Sequence, residues 1–212
     1  MKRLLLRCGP VGDPRAVRTT TAGDELLELL RERRSRAALA APAPGPDRLR
    51  EMLAAAGSAP DHGRLRPWRF VVVTGSGLAS LGDAFAAAHA ERDPAATAED
   101  VERSRAKPLR APMIVVVVAA PREHPKVPLW EQRAAAACAA HGLLIAAHAS
   151  GFGAMWRTGW FGEAGKVRAH LGVHDGDPGP AEDVTGWIYL GTPAGPAPAP
   201  RPEVEPDVTW LR

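Results

Sequence analysis

The sequence predicts an α+β protein: a central mixed sheet with helices packed around it. Three observations point there. Two β-branched apolar runs, Phe70–Thr74 and Pro112–Val118, are strands bounded by turn residues. Between and around them lie stretches with apolar residues at helical spacing. The two kinds of segment do not alternate regularly, which argues against a doubly wound sheet.

The first predicted helix runs from Asp24 to Arg33, with Asp24 as its N-cap and Leu26, Leu27 and Leu30 on one face. Ala41–Pro46 is proline-rich and cannot be helical. Asp47–Ala56 is a second amphipathic helix closed by Gly57. The loop Ala59–Pro67 then carries His62, Arg64 and Arg66 and ends in Trp68-Arg69 before a strand expected to be buried. A polar loop held by a core strand is a common place for function. Arginines with a histidine and a tryptophan suit a planar anionic ligand, and they equally suit a solvated basic edge.

Residues 78–106 are helical in tendency, with a break at Asp93-Pro94 and an exposed charged end, Ala98–Lys107. Pro112–Val118 is apolar at every position, as a central strand requires. Leu129–Ser150 is a long helix, apolar nearly all round, that belongs in the interior or at a large subunit interface. Gly151 stops it. A short strand over Phe152–Trp156, a short helix over Glu163–Leu171 and a last strand over Val184–Leu190 follow. Residues 1–22 read as a weakly ordered extension. Residues 23–212 read as a single domain ending in an extended proline-rich arm, 193–212, that would drape over a neighbour.

With 212 residues, 45% hydrophobic and 24% charged, the chain can build a sizeable core. A net charge of +3 without a concentrated patch gives no case for nucleic acid. No stretch approaches the ~20 apolar residues of a membrane span. The two cysteines, Cys8 and Cys138, imply neither zinc site nor disulfide framework, so a reducing cytoplasm is expected, with Cys138 a small core residue.

Nucleotide-binding glycine loops, a zincin motif and a nucleophile elbow are all absent from the sequence. His141 and His148 share a helix face and read as core or interface histidines rather than metal ligands. Arg33-Arg34-Ser35 suits a phosphate monoester, or simply a cationic last turn that complements the helix dipole. Gly151–Gly159 pairs flexible glycines with Trp156 and Arg157, as a ligand cradle or as a tight turn. Lys126–Glu131 is either a pocket wall or a helix start with a buried Trp130.

Taken together and in order, Arg33-Arg34-Ser35, Ala59–His62, Pro67–Phe70, Lys126–Gln132, Gly151–Thr158 and Gly186–Pro193 resemble the FMN-dependent nitroreductase family, and within it a short bacterial NAD(P)H nitroreductase branch. The resemblance covers about residues 24–210. It implies an intertwined homodimer with FMN at each of two subunit interfaces. It assigns Arg33, Arg34 and Ser35 to the FMN phosphate and ribityl side. Ser58 would contact the flavin, His62 would reach it from the other subunit, and Trp156, Arg157 and Thr158 would form a second cofactor segment. Ala146, Ala147, His148, Ala149, Ser150 and Gly151 match a segment that binds the nicotinamide nucleotide. Ser58 stands where the branch usually has a basic residue.

The implied activity is hydride transfer from NAD(P)H by way of FMN to nitroaromatic, quinone or similar electron-poor acceptors, with no catalytic side chain and no metal. A specialised flavoenzyme, such as a small-metabolite dehydrogenase or a flavin-fragmenting enzyme, and a non-catalytic flavin scaffold are the alternatives.

Overall fold

The structure, a computed structural model, describes residues 21–199, 202 and 204–211. Most of the expected N-terminal extension therefore lies outside the described residues. Helix α1 (Ala22–Glu32) is followed by the two-residue strand β1 (Leu39–Ala40) and helix α2 (Pro46–Ala56). Strand β2 (Trp68–Thr74), helices α3 (Ser76–Arg92) and α4 (Ala98–Arg105), and strand β3 (Met113–Ala119) come next. Helix α5 (Leu129–Ala149), strand β4 (Gly153–Arg157), helix α6 (Gly165–Leu171) and strand β5 (Asp183–Pro193) complete the order.

The strands form one five-stranded sheet built around β5, which pairs with β3, β4 and β1, while β2 pairs with β3. Every described pairing is antiparallel, so the sheet is not mixed as expected. β3 and β4 run the same way on either side of β5, and α5 is the crossover that joins them.

β3 is buried at every position, and alternation sends its side chains to two cores. Ile114, Val116 and Val118 join Leu81 and Phe85 of α3, Val167 of α6, and Trp187 and Tyr189. Val115 and Val117 join Met52 of α2, Leu143 and Ala147 of α5, and Ile188 and Leu190. The sheet thus lies between an α2/α5 layer and an α3/α6 layer. Close approach of α2 and α5 needs glycine at 142, where a Cβ would lie 3.2 Å from the Ala56 Cα.

Several local expectations are corrected. The N-cap of α1 is Thr21, and Asp24 is the third residue of a reciprocal capping box with it. The strand expected to be buried, β2, is the sheet edge and buries only Val73. Trp130 is 67% exposed, not buried. Cys138 is exposed as well: it lies on the α5 face turned away from the sheet, with Ala134 and His141.

The edge strand is tied down by charge. Arg69 donates from Nε and Nη2 to the two carboxylate oxygens of Glu182, at 2.8 and 2.6 Å, and from Nη2 to the Gly172 carbonyl. Glu182 also accepts the His174 backbone N–H. The hydrogen bond from Arg69 holds the Glu182 carboxyl below the usual carboxylate range. A depressed folded-state pKa adds stability above the unfolded pKa and loses it as pH falls through the folded value. Glu182→Gln should therefore cost about 1 kcal/mol or more at pH 7. That difference should vanish well below pH ~4, where the wild-type carboxyl is protonated too. Chemical denaturation of both proteins across this range is the measurement.

Candidate active site

Two cavities on the α2/α5 side hold five of the fourteen predicted site residues: Arg34, His148 and Gly151 in one, Ser58 and Trp156 in the other. The first, about 560 Å³, lies between the chain that follows α1, the C-terminal end of α5 and the segment after β5. Arg34, Arg36, His148, Gly151 and Phe152 line it, with Glu32 at the helix end. Arg33 is the C-cap of α1, and its N–H donates to Leu29 O. The Arg34 guanidinium folds back and donates Nη1 to the carbonyls of Arg31 and Arg33. It meets two of the carbonyls that a helix end leaves unsatisfied. Ser35 is exposed.

Arg36 was missed by sequence reasoning. Its backbone N–H donates to Ala154 O at 3.0 Å, which fixes the residue against β4. Its guanidinium is half-buried and has no hydrogen bond or ion pair among the described residues. The available signal was a third arginine two residues beyond Arg34, in Arg33-Arg34-Ser35-Arg36. An unpartnered guanidinium in a cavity beside a second arginine is the chemistry of an anion site.

The second cavity, about 640 Å³, is bounded by the end of α2 and the residues after it, by the outward face of α5, and by Trp156. Ala55, Ser58, Ala59, Cys138, His141 and Trp156 contribute. Small apolar walls beside one indole make room for a flat ring. Ser58 donates its hydroxyl to Ala55 O at 2.7 Å. The Trp156 indole packs into the α2/α5 core and donates Nε1–H to Thr185 O at 3.3 Å.

The structure brings Arg34, His148 and Gly151 together, and it brings Ser58 and Trp156 together. It does not unite all the predicted residues on one chain. Trp156 and Arg157 are neighbours on β4 and leave it on opposite faces. The Arg157 guanidinium lies 5.6 Å from the Tyr189 ring, which belongs to the other core. Burial raises the Tyr189 phenol above its ordinary value despite that cation. Thr158 lines a further cavity with Gly159, Glu163 and Arg168. His62 bonds through Nδ1 to Glu131 Oε2 at 2.8 Å. Of the segment expected to bind nicotinamide nucleotide, Ala147 is wholly buried, Ala146 packs against the same core, and Ala149 is exposed. Ser150 spends its N–H capping α5.

An α+β sandwich with an arginine-lined anion cavity and an indole-walled slot defines a class of proteins that could hold a phosphorylated planar cofactor. The chain belongs to the Nitroreductase family: residues 30–192 match that family. It is 40% identical over 171 residues to a protein of Escherichia coli K12 named "Putative NAD(P)H nitroreductase YdjA", a match that covers 80% of this chain and 88% of that protein. A "Putative NAD(P)H nitroreductase" of Haemophilus influenzae is 37% identical over 156 residues, covering 72% and 83%. Among solved structures, a nitroreductase from Bacteroides fragilis, crystallised with bound FMN, aligns with TM-score 0.67 at 26% identity over 89% of this chain and 99% of that one.

Proposed function

We propose that this protein is an FMN-dependent NAD(P)H oxidoreductase that acts on nitroaromatic, quinone or similar electron-poor acceptors in the cytoplasm. The observation that carries this reading is the Arg36 guanidinium, which has no hydrogen bond or ion pair among the described residues, beside Arg34 in one cavity. The relationship to NAD(P)H nitroreductases supports it. When bound, the flavin supplies the hydride chemistry, and the protein supplies placement and electrostatics. Arg34 and Arg36, with Arg33 and Ser35 beside them, hold the phosphate. Trp156 walls the ring, and Ser58 bounds the same slot. His62, Arg157 and Thr158 remain proposed cofactor contacts, and the 146–151 segment contributes His148 and Gly151 to nucleotide binding.

Two copies complete the site. Helix α1 buries no residue, and its Leu26 and Leu27 are 56% and 51% exposed. The outward face of α5 is open along Ala134, Cys138 and His141. The arm beyond Pro193 leaves Val204, Val208, Trp210 and Leu211 exposed. Three separate apolar surfaces on one chain fit an intertwined homodimer, whose interface would also bring groups from two protomers to one ring.

The test is an absorption spectrum after FMN is added and unbound flavin is removed by gel filtration, followed by anaerobic titration with NADPH and NADH. Retained flavin that bleaches is expected. A protein without retained flavin, or with flavin that neither nucleotide bleaches, refutes the reading.

A further inference from the structure

The loop between α2 and β2 holds the only two non-glycine residues among those described with positive φ: Arg64 at 55° and Arg66 at 47°, next to Gly63 at 77°. The left-handed region costs a side-chain-bearing residue on the order of 1 kcal/mol. Such strain persists only where the surroundings impose it. Here they do. Asp61 accepts the Arg66 backbone N–H at 2.6 Å, and Arg122 donates Nη2 to Leu65 O at 2.7 Å. Gly63 sits against Val127, from which a Cβ would be 3.4 Å.

The clamp turns the Arg64 and Arg66 side chains outward. Both residues are exposed, and neither guanidinium has a hydrogen bond or ion pair among the described residues. Arg122 and exposed Lys126 lie on the facing loop. Of the nearby carboxylates, Asp61 is engaged by the loop backbone and Glu131 by His62, which leaves exposed Glu123 on the facing loop. The loop also starts inside the proposed flavin slot, since Ser58, Ala59 and Pro60 line that cavity directly before Asp61. A strained loop that presents two arginines, unpaired among the described residues, beside a redox slot is built for a dianion at the slot's rim.

We propose that Arg64 and Arg66 form the site for the 2′-phosphate of the nicotinamide donor, so that this enzyme selects NADPH over NADH. This rests on the oxidoreductase reading above and deepens it. The Arg64 and Arg66 side chains contribute only to the adenosine end of the donor, and flavin retention is independent of them.

The test substitutes glycine, which accepts positive φ and keeps the backbone path. The double variant Arg64→Gly, Arg66→Gly is compared with wild type as holoenzyme. The expected result is a KM for NADPH raised by roughly tenfold or more, a KM for NADH changed by less than about twofold, and unchanged flavin content. Relief of strain is offset by the larger unfolded-state entropy of glycine, so thermal stability should change little. A second readout needs no turnover: wild type should bind 2′,5′-ADP more tightly than 5′-AMP by calorimetry, and the variant should bind them alike. Equal binding of the two by wild type, or parallel changes in both Michaelis constants, overturns the proposal. If wild type retains no flavin, the oxidoreductase reading fails by that result, and the calorimetric comparison still decides this one.

Discussion

Arg34→Ala should yield a folded protein that loses FMN on gel filtration. A charge-assisted bond to a phosphate contributes about 1.5–3 kcal/mol, which is roughly 10- to 100-fold in affinity. The same guanidinium caps the carbonyls of Arg31 and Arg33, so some stability goes with it. The loss should be small, because α1 buries nothing and its fraying leaves both cores intact. This separates two roles for the residue. If Arg34 only complements the end of α1, melting temperature falls slightly and flavin content does not change. Arg36→Ala provides the cleaner comparison, since that guanidinium has no structural partner among the described residues to lose. It should release flavin with no change in stability. Unchanged flavin content in both variants removes the phosphate assignment.

The parts of the fold that could be read from sequence are those that local pattern determines. β3 was legible because seven consecutive apolar residues admit only a strand covered on both faces. The length of α5 was legible because an apolar run bounded by Pro128 and Gly151 has one interpretation. Burial of β2 was not legible. Phe70-Val71-Val72-Val73 has the composition of a central strand, and only pairing order makes it an edge. The exposure of Cys138 and Trp130 escaped for a related reason: an all-apolar helix hides which face meets the sheet and which is left for another surface.

The site shows the same division. The order and spacing of short segments pointed to a cofactor, yet each segment is too short to say where its side chains go. Adjacent positions on β4 send Trp156 to one core and Arg157 to the other, a consequence of strand alternation that a motif string conceals. Arg36 lay beside a recognised motif and was passed over. What distinguishes it, a guanidinium in a cavity with no partner among the described residues, exists only in three dimensions. His62 and Ser58 are close in sequence, but one bonds to Glu131 and the other faces the slot.

Gly186→Ala should damage fold and cofactor site together, because it strikes the indole that walls the slot. A Cβ at 186 would fall 1.9 Å from Trp156 Nε1 and 2.5 Å from its Cδ1. Gly186 is on the central strand β5, paired with Val117 of β3, so the backbone cannot withdraw. The indole must move instead. To do so it gives up its bond to Thr185 O and its packing against the α2/α5 core. Overpacking of a filled core costs about 1–3 kcal/mol, and a displaced donor adds to it. Denaturation should show that loss, and flavin retention should fall with it because the slot is lined by the same ring. Trp156→Phe supplies the control. It deletes the Nε1 edge that collides with the new methyl, so the double variant should be more stable than the sum of the two single losses predicts. A positive coupling of that kind is expected only for groups in contact. Strictly additive losses would place the effect of the alanine in the backbone of β5, and the link between Gly186 and the flavin slot would be withdrawn.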